Sequence, residues 1–320
     1  MIEYRCFRNS DPPDVLSLWN ESELGRAAAG YVTSDAFEVL VFAQPYFDRR
    51  GFILACDGER LVGFAHAGFG ANSDGSGLSH DTGVICAVVV HPEYRLRGIG
   101  RELASRAERY LEEAGVSEVF VGSSPGRNPF YNGLYGGASA VGFLASDENA
   151  APFLNAIGYE PFERHAVFQR TTDSSRDPID FKLVMLRRKT QLACGSLPDD
   201  VSWWWTTTLG RLDSARFRLL PKNDGASITA VTVVGLDNYI PKWGAQAFGL
   251  CDLDIAAGGD AARVLVLDTC KRLAEERFTL AEAYARECDT DSIAVWESTE
   301  FERVDTGIVY RRKIAGPETA

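Results

Sequence analysis

The sequence predicts an α/β fold of the mixed, α+β kind, built twice, each copy a mixed and mostly antiparallel sheet flanked by helices. Three observations lead to this prediction. Apolar segments with strand character alternate with amphipathic helical segments along the 320 residues. A nearly continuous apolar strand at Val84–Val90 runs through a glycine-rich loop into a helix. After a polar stretch at Thr171–Pro178, the same order of elements starts again from Phe181.

The first half opens with a predicted strand at Ile2–Arg8 and a helix that begins at Asp11. Asp11 is expected to cap this helix, and the two prolines that follow suit a first turn, where a missing N–H costs nothing. A second helix is predicted from Ser34. Two apolar segments then flank Asp57-Gly58, which is the pattern of a β-hairpin, and Ala71–Gly77 is predicted to be a loop.

The strand Val84–Val90 is expected to be buried on both faces, because its apolar run does not alternate. The loop after it leads to a helix whose apolar residues, from Leu103 to Ala114, recur at helical spacing. The elements predicted next are a strand at Glu118–Gly122, a long insertion at Ser123–Ser146, a helix at Asp147–Ile157 and a strand at Tyr159–Arg170.

The second half repeats this order, with Thr171–Pro178 as the predicted linker between domains 1–172 and 180–316. Tyr159–Arg170 aligns with Phe301–Arg312 without a gap, which indicates an internal duplication. This half is predicted to begin with a strand at Phe181–Leu186 and a short helix near Asp199–Thr208. Two strands follow around Asn223-Asp224-Gly225, and the second of them is Ser227–Val234. The last predicted elements are a strand at Leu250–Ile255 and a helix at Arg263–Glu276.

Composition excludes several classes of function. Acidic residues outnumber basic ones by 45 to 33, giving a net charge of −12, so we expect neither nucleic acid nor a membrane surface as a partner. The N-terminus lacks the apolar stretch of a signal peptide. The seven cysteines are scattered and never spaced as C-x-x-C, which is typical of reduced thiols in a cytoplasmic protein. The four histidines show no ligand spacing, so no metal site is expected.

The chemistry is concentrated at the loop between the buried strand and its helix. A helix start leaves backbone N–H groups unpaired and carries partial positive charge. Gly98 and Gly100 have no Cβ, so these amides can approach an anion closely, and Arg95, Arg97 and Arg101 add three cations. The loop has neither a Walker ending nor the G-x-G-x-x-G pattern. It therefore predicts a site for a diphosphate.

The stretch VVVHPEYRLRGIGRELASRAERYLEEAG resembles the GNAT superfamily of acyl-CoA-dependent N-acetyltransferases, and the resemblance covers roughly Ile2–Arg170. It implies two GNAT-like domains, the second a degenerate copy. It also implies acetyl-CoA as co-substrate and direct attack of an amine on the thioester. The residues that the resemblance assigns to coenzyme A are the pyrophosphate loop Arg95, Leu96, Arg97, Gly98, Ile99, Gly100 and Arg101, and the pantetheine strand residues Val88, Val89 and Val90.

Two positions depart from the family pattern. Val84 stands where many members have a glutamate base, and Leu154 stands where many have the tyrosine that protonates the leaving thiolate. The amine must still lose a proton and the thiolate must still gain one, so water chains or other residues do this work. The first candidate replacement is the pair His80 and Asp81 before the buried strand, where Asp81 has the alternative role of a turn residue. The second is the pair of insertion tyrosines, Tyr131 and Tyr135, and the alternative is that the insertion is a structural hairpin that packs its own aromatic residues.

The second half replaces the cationic loop with Ala256–Asp260, where an aspartate would repel a diphosphate. We therefore expect this half not to bind coenzyme A, but to cover the sheet, wall the acceptor site or mediate dimerisation, with Trp203–Trp205 as one possible wall. The expected activity is acetyl transfer to a primary amine of a small molecule or peptide, by a monomer or homodimer. The alternatives are a non-catalytic acyl-CoA sensor, an interaction module and an enzyme similar to mycothiol synthase.

Overall fold

The structure, a computed structural model, describes residues 1–173, 175, 177–195, 201–223 and 225–314. The elements of the first half are β1 (Ile2–Cys6), α1 (Pro12–Glu21), α2 (Ser34–Phe37), β2 (Phe52–Asp57), β3 (Arg60–Ala71), β4 (Leu78–Val90), α3 (Ile99–Glu113), β5 (Glu118–Val121), β6 (Phe143–Leu144), α4 (Ala150–Ala156) and β7 (Glu160–Thr171). Those of the second half are α5 (Phe181–Lys189), β8 (Thr190–Gly195), α6 (Trp203–Thr207), β9 (Ser214–Pro221), β10 (Thr229–Gly235), α7 (Ile240–Trp243), β11 (Ala247–Cys251), α8 (Gly259–Glu275), β12 (Leu280–Arg286), α9 (Thr290–Ser298) and β13 (Glu302–Lys313).

The two halves share one sheet and exchange their last strands. The strand order is β1-β2-β3-β4-β5-β13-β7-β12-β11-β10-β9-β8, and β6 pairs with β13 outside this path. Strand β13 of the second half thus lies between β5 and β7, while β7 of the first half pairs with β12. The predicted α/β fold with a mixed sheet flanked by helices is confirmed. The division into domains 1–172 and 180–316 stays a prediction. One sheet passes through both parts, so strand pairing does not separate them.

The pairing of β7 with β13 reflects the duplication. The alignment that places Tyr159 on Phe301 also places His165 on Gly307, and these two residues are partners in the sheet. Arg164 pairs with Ile308, and Ala166 pairs with Thr306. The alignment places Arg164 on Thr306 and Ala166 on Ile308, so the second pair is the first with the two copies interchanged. The two strands therefore meet around a local twofold axis at the centre of the sheet.

The insertion between β5 and α4 crosses the sheet from the first half into the second. A Cβ on Gly249 of β11 would lie 2.1 Å from the Cβ of Ala138, and a Cβ on Gly307 of β13 would lie 1.9 Å from the carbonyl oxygen of Val141. These strand glycines let the backbone of the insertion approach the sheet closely. A core that includes Phe130, Tyr131 and residues of β10 and β11 forms beneath it.

Three sequence predictions are wrong or displaced. Phe181–Leu186 begins helix α5 instead of forming a strand, because the Asp180 carboxylate accepts a hydrogen bond from the Lys182 N–H (2.8 Å) and caps it. Strand β11 ends at Cys251, since Asp252 has a left-handed φ of 50°. Asp11 precedes α1 but does not cap it: its carboxylate accepts from the Arg5 guanidinium and the Arg8 N–H.

The sequence prediction also omitted β6, β8, α7, β12 and α9, while the other predicted elements form within a few residues of their expected bounds. Four predicted ranges fall partly outside the described residues. They are the linker Thr171–Pro178, the turn Asn223-Asp224-Gly225, the start of the helix near Asp199–Thr208 and the end of domain 180–316.

Candidate active site

The loop between β4 and α3 is shaped by two glycines with different functions. Gly98 is the N-cap of α3 with a left-handed φ of 82°, and it offers no side chain to the first N–H groups of the helix. A Cβ on Gly98 would meet nothing within 4 Å, so conformation alone requires glycine there. A Cβ on Gly100 would lie 3.2 Å from the ring of Phe153 in α4. The exposed Leu96 before them also has a positive φ, of 60°.

The three arginines lie around the start of α3 but do not act alike. Arg95 donates to the carbonyl oxygen of Val90 (Nε···O 3.1 Å) and to that of Ser22, so it holds the loop against α1. The Arg97 guanidinium stacks 5.0 Å from the ring centre of Tyr94. Arg101 is exposed and reaches the Ala156 carbonyl at 3.3 Å. Within the described residues none of the three forms an ion pair.

A cleft runs from this loop between β4 and β5, and we call it the loop cleft. The two strands pair in parallel only from Thr82–Ile85 to Glu118–Val121. Val88, Val89 and Val90 pair with β3 on one side and line the loop cleft, of about 460 Å³, on the other. The Val90 carbonyl is already engaged by Arg95. Helix α4 and Phe143 form the opposite wall.

A small void of about 10 Å³ lies where β4 and β5 separate, and we call it the tyrosine void. Cys86, Tyr131, Tyr135 and Phe143 are among its lining residues, and Phe143 also lines the loop cleft. Both candidate tyrosines therefore line a void that adjoins the loop cleft at Phe143.

The two tyrosines have different surroundings. The Tyr131 hydroxyl is 3.0 Å from Nδ1 of the buried His66, and its ring stacks on Trp19 with ring centres 5.5 Å apart. The buried Tyr135 hydroxyl has no hydrogen-bond partner among the described residues. Burial raises the pKa of both phenols, so both are protonated at neutral pH. Burial also lowers the pKa of His66 to about 3, so its ring is neutral.

The structure does not bring His80 and Asp81 to the cleft. Both are exposed near the start of β4, at the opposite end of the strand from Val88–Val90. The His80 ring packs on Phe69 at 4.2 Å, and Asp81 accepts from the Ser79 hydroxyl. Val88 lies eight positions after His80 along the strand, which is roughly 26 Å. Asp81 lies inside β4 rather than in the turn predicted as its alternative role, and its carboxylate makes a local hydrogen bond away from the cleft.

The positions of the missing family residues are apolar and buried. Val84 is fully buried, and Leu154 lines the loop cleft with 1% of its surface exposed. Sequence reasoning missed His66, Phe143 and Phe153, each of which contacts a residue it had selected. A lone histidine and two phenylalanines carry no pattern of their own, so only the topology could identify them.

The corresponding helix start in the second half has the opposite arrangement. Gly258 precedes α8, and the Arg263 guanidinium there pairs with Asp180 (3.1 Å) and Asp260 (3.2 Å). The cation is thus neutralised, and Asp260 stands in the first turn. In the described ranges no group of three or more metal-ligating side chains occurs, and no helix is long and apolar enough to cross a membrane.

Comparisons with known proteins agree with this geometry. A sequence model of the Acetyltransferase (GNAT) family matches residues 14–136. A stretch of 81 residues is 37% identical to mycothiol acetyltransferase of Kocuria rhizophila, and it spans 24% of this chain and 26%, about a quarter, of that protein. Residues 14–136 therefore match the GNAT family of acetyltransferases, and the chain spans about a quarter of the length of this relative.

Solved structures identify the arrangement of the whole chain. A tandem GNAT protein from the clavulanic acid biosynthesis pathway aligns over 98% of both chains with a TM-score of 0.66 at 15% identity. N-myristoyltransferase of Saccharomyces cerevisiae, solved with myristoyl-CoA, aligns over 99% of this chain and 81% of that one, with a TM-score of 0.60 at 12% identity. The fold of this chain is that of a tandem GNAT protein.

Proposed function

We propose that this protein is an acetyl-CoA-dependent N-acetyltransferase that acts on a primary amine of a small molecule or peptide. The observation that carries the proposal is the loop cleft, which joins an uncapped helix start, unpaired cations and one free edge of β4. The helix amides from Leu96 to Arg101 suit the pyrophosphate of coenzyme A. The edge at Val88 and Val89 suits the amides of pantetheine.

In this reaction the neutral amine nitrogen attacks the thioester carbonyl carbon, the C–S bond breaks, and the amine proton leaves to solvent or a base. The thiolate of coenzyme A takes a proton from an acid. Tyr135 and Tyr131 are the proposed acids, because both phenols line the tyrosine void, which adjoins the loop cleft at Phe143. The partial likeness to mycothiol acetyltransferase supports an enzyme of that type as one form of the proposal.

A non-catalytic acyl-CoA sensor is the second candidate, and the apolar residues Val84 and Leu154 favour it. Measuring coenzyme A release with spermidine, glucosamine, tyramine and lysine as acceptors separates the two. Amine-dependent release well above the hydrolysis rate supports the enzyme. Tight acetyl-CoA binding, measured by calorimetry, without amine-dependent release would establish the sensor instead.

A further inference from the structure

A second cavity, of about 370 Å³, lies where the strands of the second half separate, and we call it the tryptophan cavity. Strands β11 and β12 pair in parallel from Ala247–Leu250 to Leu280–Ala283, and the residues after these pairs line the cavity. This is the place that the loop cleft occupies between β4 and β5. Residues of the insertion, Trp204 and Trp205 complete the walls.

The tryptophan cavity adjoins the proposed reaction centre. Ala140 of the insertion lines both this cavity and the tyrosine void, while Phe143 lines both the void and the loop cleft. The three spaces therefore follow one another, with the void in the middle. A molecule in the tryptophan cavity would approach the void past Ala140, whereas one in the loop cleft would approach it past Phe143.

One buried side chain of this cavity lacks a partner. His165 of β7 is 3% exposed, and its Nε2 makes no hydrogen bond to any described residue, although a Glu163 carboxylate oxygen lies 3.5 Å away. Burial lowers the pKa of His165, so the ring is neutral at pH 7. A buried ring nitrogen without a partner indicates a site where a ligand or water supplies the missing hydrogen bond.

Two carboxylates and four aromatic side chains are among the other described lining residues. Asp252 adopts a left-handed φ of 50° directly after β11, and its Oδ2 accepts a hydrogen bond from the Trp205 indole (3.3 Å). Asp289 is the second carboxylate, and Arg286 is the one guanidinium among the described lining residues. With His165 neutral, the lining carries a net negative charge. Carboxylates beside tryptophan faces favour an organic cation.

We propose that the tryptophan cavity is the acceptor site and takes an ammonium-bearing small molecule with a hydrogen-bonding group for His165. The second half thereby contributes substrate recognition, having lost the diphosphate site. Asp252, held by Trp205, attracts the ammonium group, which then loses its proton to solvent and reaches the thioester past Ala140 as the neutral amine. This inference rests on the proposed function.

The test uses the full chain with the Asp252→Asn and Trp205→Ala variants, and Asp254→Asn as a matched control. Asp254 is exposed, lies outside the cavity and caps the Ala256 N–H. For any of spermidine, glucosamine, tyramine or lysine that is acetylated, we expect KM to rise about tenfold or more in both cavity variants. The dissociation constant of acetyl-CoA and the KM of the control stay unchanged.

Turnover with unaltered acceptor KM in both variants would overturn the assignment of the cavity and leave the proposed function intact. If no amine is acetylated, calorimetric titration of the same four amines into the CoA-bound protein decides. If an amine binds, and Asp252→Asn weakens this binding while Asp254→Asn does not, the cavity is an ammonium site although the proposed reaction is absent. No binding of any of the four would overturn the inference.

Discussion

At the scale of single residues, the loop shows that adjacent glycines serve different needs. Gly98 has space around it but a φ of 82°, whereas Gly100 packs against the ring of Phe153. The sequence pattern assigns both to the approach of an anion, and that assignment stays a prediction. The structure adds a second reason for glycine at position 100, since the missing Cβ allows α3 and α4 to come together.

Replacing Gly98 with alanine should weaken coenzyme A binding about tenfold. An L-residue at this φ costs ~1–2 kcal/mol. The free loop avoids this strain by adopting another conformation, so binding must supply the energy that returns the loop to its anion-binding conformation. Gly115→Ala is the matched control, because Gly115 at the other end of α3 has a φ of 86° and equally open surroundings. Calorimetry should show weaker binding only for Gly98→Ala; equal affinities would contradict the assigned role of the loop.

Tyr135→Phe and Tyr131→Phe test the proposed acid. Loss of a general acid should lower kcat by about 100-fold or more in one of the two variants, with the affinity for coenzyme A unchanged. Tyr110→Phe is a control, since its hydroxyl binds Asp48 away from the described cavities. Near-normal turnover in both variants would exclude the two tyrosines and return the proton transfer to water.

The buried His66 should make the protein sensitive to acid. Its folded pKa is lowered to about 3, so between pH 6.5 and 3 the unfolded state binds the proton that the folded state does not. Stability is therefore complete above pH 6.5 and falls with decreasing pH, by up to ~1.4 kcal/mol per unit. His66→Asn should reduce this slope in urea unfolding measured from pH 6.5 to 4, and the exposed His80→Asn should not. Equal slopes for all three proteins would disprove the contribution of His66.

At the scale of elements, the exchange of β7 and β13 is the feature that joins the halves. Strand β13 fills the position between β5 and β7, where it makes sheet hydrogen bonds on both of its edges. In return β7 pairs with β12. Without the partner half, β5 would have a free edge and β7 would lose both neighbours, which exposes backbone groups and apolar surface.

Fragment 1–172 should consequently not fold as a stable monomer on its own. Co-expression with fragment 173–320 should give a complex that elutes at the size of the intact chain and shows its circular dichroism spectrum. The experiment compares 1–172 alone, the pair and the intact chain by size-exclusion chromatography. A monomeric, folded 1–172 with the melting temperature of the intact chain would contradict the importance of the exchange.

At the scale of the whole molecule, buried polar contacts fix the insertion between the halves. The Tyr239 hydroxyl accepts from the Gly137 N–H (2.8 Å) and donates to the Ala27 carbonyl oxygen (3.0 Å), while the Tyr284 hydroxyl accepts from the Ala138 N–H (3.0 Å). The buried Glu282 lies among Tyr284, Gln169 and Arg26 at the same junction, and burial raises its pKa. The second half therefore positions the segment that carries the candidate acids.

The division of work between the halves predicts one coenzyme A molecule per chain. The helix start of α3 has unpaired cations, whereas Arg263 at α8 is neutralised by Asp180 and Asp260. Calorimetric titration should reach saturation at a molar ratio of one, and Arg97→Ala should weaken binding while Arg263→Ala leaves it unchanged. A ratio of two would show that the second half has kept a site.

The sequence by itself determined the features that depend only on residues close together in the chain. The run from Val84 into the Arg95–Arg101 loop predicts an anion site, because strand burial, glycine content and a helix start are properties of neighbouring residues. The duplication is likewise visible in the order of elements. Tertiary structure decided the exchange of β7 with β13, the exclusion of His80 and Asp81, and the meeting of Tyr131 with His66, because strand pairing between distant segments leaves no local signal.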